Sequence, residues 1–305
     1  MAVHTPVGPD ALTGFLAQYS LPPADRFEGI AAGVENTNYR VDAGGQALIL
    51  TLYEGRTEAG DLPYFLALTD HAARRGVAVP APLERASGGV IGTLCGRPAA
   101  LLTRLPGGTP DAPTRAQAEA AGRMLARLHA ALADFPGRRL DPLGPSGWVA
   151  LAEALREDGA VPTEALETAR QLHAAWPEGL PGGPIHADLF PDNVLFEGDV
   201  LSGIIDPYFS CDGLLAYDLA VAMNAFANEH PDGYDEARAA ALRKGYEGRR
   251  ALTLDEAAAL PGLRRGAALR FYLTRAEDAA RRTASDLVKV KDPLPYWTLL
   301  RQGFG

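Results

Sequence analysis

Ile185-His-Ala-Asp188-Leu-Phe-Pro-Asp-Asn193, followed by Asp206 at the end of the apolar run Leu201-Ser-Gly-Ile-Ile205, is the stretch of this chain from which the fold can be read. Moving a γ-phosphoryl group needs a carboxylate to orient and deprotonate the attacking hydroxyl. It also needs an amide and a second carboxylate to hold magnesium on the phosphates. His-x-Asp-x-x-x-x-Asn plus a later Asp supplies all three. In this reading Asp188 is the base, His186 orients its loop, and Asn193 and Asp206 are the metal ligands.

The spacing has a geometric reason. Val194-Leu-Phe196 and Val200 to Ile205 are β-prone apolar runs separated by Glu197-Gly-Asp199, which predicts an antiparallel hairpin. Asn193 then enters the hairpin where Asp206 leaves it. Paired strands lie about 4.8 Å apart, so two oxygen donors at one end can share an ion with ligands at roughly 2.1 Å. Asp and Asn beside Pro191 are also ordinary turn residues. The argument for chemistry rests on the two spaced signals occurring together.

The 305 residues are enough for two domains or lobes. Hydrophobic residues make up 47% and charged residues 22%, and no apolar run approaches the roughly 20 residues of a bilayer span. The N-terminus lacks the basic start and apolar core of a secretion signal, so cytoplasm is the expected compartment. Cys95 and Cys211 are the only cysteines and imply no disulfide framework. A formal charge of −9 argues against a nucleic-acid partner, which would want a basic footprint. From Asp212 onward, 14 Lys and Arg balance 13 Asp and Glu, so that third offers no acidic basin for a polycation.

The first hundred residues read mostly as strand, around Phe27–Ile30, Tyr39–Val41, Ala47–Tyr53, Val90–Leu94 and Pro98–Arg104. One helix interrupts them, with Asp61 as its cap and Pro63 in its first turn. Arg104-Leu-Pro-Gly-Gly108 is a break suited to a hinge. After it the chain turns helical, opening on the capping-box pattern Thr114-Arg-Ala-Gln117. Further helices are expected near 150–155, 164–174, 215–226, 234–246, 254–260 and 264–282. His129 reads as a structural hydrogen-bonding residue. Asp218, at a helix start, reads as a buried anchor for the amides of a neighbouring loop. The class is α+β, with a sheet lobe over 1–103, a hinge over 104–108 and a mostly helical lobe over 109–305.

Between the first two strands lies Gly29-Ile-Ala-Ala-Gly33-Val-Glu-Asn36-Thr37-Asn38. Glycine lets backbone approach a phosphate, and Asn36 or Thr37 can donate to its oxygens. An ordinary hairpin loop fits the same residues.

Taken together, Gly33-Val-Glu-Asn-Thr-Asn38, Leu48 to Glu54, Glu58 to Phe65, His186 to Phe196, Ser202 to Tyr208 and Tyr217-Asp-Leu-Ala220 resemble the homoserine kinases of the aminoglycoside-phosphotransferase-like, protein-kinase-like type. The similarity runs from Thr5 to the helix bearing Arg270-Phe-Tyr-Leu-Thr-Arg275. It implies a two-lobed fold and ATP- and magnesium-dependent phosphorylation of L-homoserine, the step that commits carbon to threonine. It also implies a nucleotide site containing Gly33, Asn36, Thr37 and Thr51, with adenine against Arg104. The acceptor carries a carboxylate and an ammonium, for which Arg270, Arg275 and Asn224 are candidates. A salt bridge is an equal reading of each arginine.

Two departures stand out: Thr51 occupies a strand position where many kinases carry Lys or Arg, and Pro207 follows Asp206 where an aromatic is usual. Choline, ethanolamine or aminoglycoside kinases are the alternatives within the fold. A nucleotide-binding pseudokinase is the alternative outside catalysis. Monomer and homodimer are equally compatible, with no membrane or nucleic-acid partner.

Overall fold

The structure is a computed structural model, described over residues 5–30, 36–54, 60–228, 233–281 and 291–304. The chain divides into two compact units, Met1–Pro106 with Gly203–Tyr208, and Gly107–Ser202 with Phe209–Gly305.

The first unit opens on α1 (Pro9–Ala17), whose proline sits where a missing amide costs little, and which buries Leu12, Phe15 and Leu16. Then come β1 (Arg26–Gly29), β2 (Asn36–Ala43) and β3 (Gln46–Tyr53). Gly44 and Gly45, at φ 58° and 74°, make the tight turn between β2 and β3. After α2 (Leu62–Arg74), β4 (Gly92–Leu94) and β5 (Arg97–Thr103) complete an antiparallel sheet of order β1-β2-β3-β5-β4.

Alternation on β3 builds two small cores. Leu48, Leu50 and Leu52 pack with Phe15, Leu16 and Val41, while Tyr53 joins Leu62, Leu66 and Ala100. Asp61 stands at the start of α2, yet its side chain makes no cap bond. Its backbone is helical (φ −88°, ψ −18°) rather than extended, as a capping side chain requires.

The second unit begins its helices with α3 (Arg115–Leu132). Thr114 Oγ1 accepts from the Gln117 amide at 3.1 Å, and Gln117 Oε1 from the Thr114 amide at 2.9 Å. There follow α4 (Pro145–Glu157), α5 (Thr163–Ala174), β6 (Gly182–Ile185) and a 3-10 turn, Pro191–Asn193. Next are β7 (Val194–Glu197), β8 (Val200–Ile204), β9 (Cys211–Leu214), α6 (Leu215–Asn228), α7 (Glu236–Glu247), α8 (Leu254–Arg281) and α9 (Leu294–Gln302). β7 and β8 form the expected hairpin, and β6 pairs with β9, Ile185 opposite Cys211. Every residue of α6 from Ala216 to Ala227 is buried, as an all-round apolar helix must be.

Several elements differ from the sequence expectation. The helices read at 254–260 and 264–282 are one helix, α8, with Pro261 inside it. An interior proline costs about 3 kcal/mol, whereas burying Leu260, Leu263, Leu269, Phe271 and Leu273 returns about 1.5–3 kcal/mol each. The short elements α1, β9 and α9 were not legible. Residues 203–208 belong to the first unit rather than the second, tied there by Ile204 N–H to Ala78 O at 2.9 Å. No helix among the described residues is long and apolar enough to cross a membrane.

Candidate active site

In the second unit, β6 delivers the loop His186–Asn193, and Asp218 on α6 holds it. Asp218 Oδ2 accepts the His186 amide and Oδ1 the Ala187 amide, both at 2.8 Å. Oδ2 also takes His129 Nε2 at 2.9 Å, and His129 Nδ1 meets the Tyr246 hydroxyl at 2.8 Å. Burial disfavours the Asp218 charge, but the His129 bond, the electrostatic interaction with His129 and His186 and the His186 amide outweigh it and hold its pKa below the ordinary value. With Asp218 ionised, His129 donates through Nε2 and accepts from Tyr246.

Ala187 sits at φ 62°, a left-handed conformation that costs a residue bearing Cβ roughly 1–2 kcal/mol. Both its polar groups are held: Asp218 takes the amide, and Arg270 Nη1 donates to the carbonyl at 2.6 Å. The bend turns Asp188 relative to the strand. Asn193 Nδ2 then donates to the Asp188 carbonyl at 2.8 Å and to Asp188 Oδ2 at 3.0 Å, fixing the carboxylate and leaving Asn193 Oδ1 as a hard oxygen donor. His186 Nδ1 accepts the Asp188 amide at 3.3 Å.

In the first unit, Asp206 also has a left-handed φ of 62°, immediately before Pro207, where helical conformations are disfavoured. Two residues on, Tyr208 packs edge-on against Tyr53 and Phe65, with 3.1 Å between the Tyr53 and Tyr208 hydroxyl oxygens. Burial drives the phenol of Tyr208 well above its usual pKa, and the neighbouring Tyr53 hydroxyl and the Asp206 charge add to this.

Of the residues expected at the nucleotide, Gly33 lies outside the described residues. Asn36 Oδ1 accepts the Glu54 amide at 3.4 Å, and buried Thr37 donates to Glu54 at 2.6 Å. Thr51, opposite Asn38 on β2, donates to the Asn38 side chain at 2.8 Å. Arg104 pairs with Asp42 at 3.0 Å.

The three residues expected at the acceptor all hold protein groups. Asn224 is fully buried, donating to the Arg264 carbonyl at 2.8 Å and accepting from Arg264 Nε at 2.9 Å. Arg275 donates to the Asp292 carbonyl at 3.3 Å and lies over the ring of Tyr296. Arg270 is 2% exposed. Burial lowers its pKa, but the fields of Tyr217, Asp141 and Asp188 more than compensate and keep it charged. Sequence reasoning missed the Arg270–Ala187 contact because the bend at Ala187 leaves no compositional trace. It also missed Tyr246, whose hydroxyl completes the chain from Asp218 through His129.

The family model described as "Phosphotransferase enzyme family" matches residues 26–252. The homoserine kinase of Chelativorans sp. (strain BNC1) is 47% identical, over 99% of this chain and 95% of that one. The homoserine kinase of Rhodopseudomonas palustris (strain BisB18) is 48% identical, over 99% and 94%. Among solved structures, amicoumacin kinase hAmiN in complex with AMP-PNP, Ca2+ and Ami superposes with a TM-score of 0.69 at 15% identity, covering 91% of this chain and 86% of that chain. The microcompartment-associated aminopropanol kinase gives 0.65 at 21%, over 88% and 93%. At such identities the structural likeness speaks for the fold.

Proposed function

The chain belongs to the phosphotransferase enzyme family, among its homoserine kinases, and from that premise we propose how its own residues carry out the reaction. It transfers the γ-phosphoryl group of ATP to the hydroxyl of L-homoserine, giving O-phosphohomoserine. The observation that carries this reading is near-full-length identity of almost one half to homoserine kinases, joined to the intact Asp188–Asn193 loop.

Asp188 accepts the proton of the attacking hydroxyl, its carboxylate held in one orientation by Asn193. His186, Asp218 and Arg270 position the loop and do not touch the reacting atoms. Asn193 Oδ1 and the Asp206 carboxylate are hard oxygen donors of the kind magnesium takes. They would hold such an ion, which would supply charge neutralisation at the phosphates of ATP. Residues 104–108 form the hinge between the nucleotide-binding unit and the catalytic unit. Asn36, Thr37 and Thr51 shape the β2–β3 floor of the nucleotide site through their bonds to Glu54 and Asn38.

The test is turnover of L-homoserine with magnesium-ATP, beside choline, ethanolamine and an aminoglycoside. Asp188→Asn is expected to lower kcat by about two to four orders of magnitude with an unchanged melting temperature. Wild-type turnover in that variant would remove Asp188 as the base, and preference for another acceptor would remove L-homoserine.

A further inference from the structure

The loop that carries Asp188 closes on itself at its ends, where Asn193 Nδ2 donates to the Asp188 carbonyl and carboxylate. Its middle is held from outside. Phe190 is 3% exposed, its ring centroid 4.7 Å from that of Phe271 on α8 and 6.4 Å from that of Tyr296 on α9. Two cations stand over the same ring: Lys291, with Nζ 5.0 Å from its centroid, and Arg275, with its guanidinium carbon at 5.8 Å. The negative face of an aromatic ring attracts such groups.

Asp192 is the one exposed residue between His186 and Asn193, set in the 3-10 turn between buried Pro191 and buried Asn193. Lys291 Nζ donates to its Oδ2 at 2.8 Å across 99 residues of sequence. Lys291 therefore meets the turn twice, at the ring of Phe190 and at the carboxylate of Asp192. Its own backbone is anchored beside it. Arg275 donates to the carbonyl of the adjacent Asp292 at 3.3 Å, and Asp292 Oδ1 accepts the Leu294 amide at 2.9 Å at the start of α9.

We propose that Lys291 is a positioning residue for the catalytic loop: by holding Phe190 and Asp192 together it fixes the turn Pro191–Asn193, and through Asn193 the carboxylate of Asp188. Its ammonium group touches no reacting atom. The side chains of the pair are 47% and 57% exposed, so the contact adds little to folding stability. Biasing a three-residue turn between orientations takes far less than folding a lobe. Turnover scales with the fraction of molecules whose loop is in the working orientation, so a contact of this size acts on kcat. The effect on turnover rests on the kinase reading above; the hold on the loop does not.

Lys291→Met keeps the apolar stem and removes the charge, whereas Lys291→Arg keeps the charge. Lys291→Met is expected to lower kcat about threefold to tenfold, with KM for L-homoserine within about twofold and the melting temperature within about 3 °C of wild type. Lys291→Arg should retain at least about half of the wild-type kcat. Asp192→Asn should lose a similar factor to Lys291→Met, and the double variant no more than the worse of the two, because the residues act as one contact. Hydrogen exchange read by mass spectrometry reports on the loop itself. The Phe190 and Asn193 amides bond the Asp188 and Phe190 carbonyls at 2.9 and 3.0 Å; they should exchange at least about threefold faster in Lys291→Met and at the wild-type rate in Lys291→Arg. A kcat in Lys291→Met within twofold of wild type, additive losses in the double variant, or equal exchange of the loop amides overturns the proposal. Should the wild type leave L-homoserine unphosphorylated, the kinase reading falls, and the exchange rates alone decide whether Lys291 holds the loop.

Discussion

Asp218 has no exposed surface, yet it meets two loop amides and a histidine through two oxygens. Removing one partner of such a buried set costs about 3–5 kcal/mol. Asp218→Asn is therefore expected to lose stability on that order in urea titrations, and to lose turnover because the Ala187 bend relaxes. The pH dependence follows from the sign of the shift. The folded carboxyl titrates below its ordinary value of 3.8, so in that window the unfolded chain binds the proton first. The contribution is fully present above about pH 4 and is lost as pH falls through the folded value. Urea midpoints of the wild type should drop below pH 4, with a shallower drop in Asp218→Asn; equal slopes would exclude this linkage. Asp218 as an acceptor for loop amides was legible because a carboxylate at a helix start has few other uses. The left-handed Ala187 was not, since alanine carries no preference for that conformation.

Helices α3 and α7 meet through two glycines. A Cβ on Gly122 would run into the Leu242 carbonyl, and one on Gly245 into the Glu119 carbonyl, so each helix presses a glycine onto the other's backbone. Gly122→Ala is expected to destabilise by about 1–3 kcal/mol through overpacking, despite alanine's better helix propensity. A melting temperature equal to or above wild type would show that the crossing has slack. Pro63 announced α2, the capping box α3, and two β-prone apolar runs around a glycine turn the β7–β8 hairpin. The strand Cys211-Asp-Gly-Leu214 carries no such local signal and pairs along β6. Pro261 punctuated the sequence reading of α8, but side-chain packing along the helix overrides it.

Taken as a molecule, the chain crosses from one compact unit to the other between Pro106 and Gly107 and again around residues 203–208. A ligand that binds only the folded protein stabilises it by mass action. Magnesium-ATP at 100 times its Kd is expected to add about 2.7 kcal/mol, visible as a raised melting temperature that chelation of the metal reduces. An unchanged transition would argue against nucleotide binding. The two-part architecture, the N-terminal sheet with its helix and the β7–β8 hairpin could be taken from the linear chain, because each depends on side-chain type at short spacing, whereas α1, β6, β9 and α9 could not. Other features emerged when distant segments packed together: the return of 203–208 to the sheet unit, and the burial of Arg270 and Asn224 against protein groups. Their physical cause is the same: burial forces each polar group to find whichever partner folding brings near, and no local pattern records which one that will be.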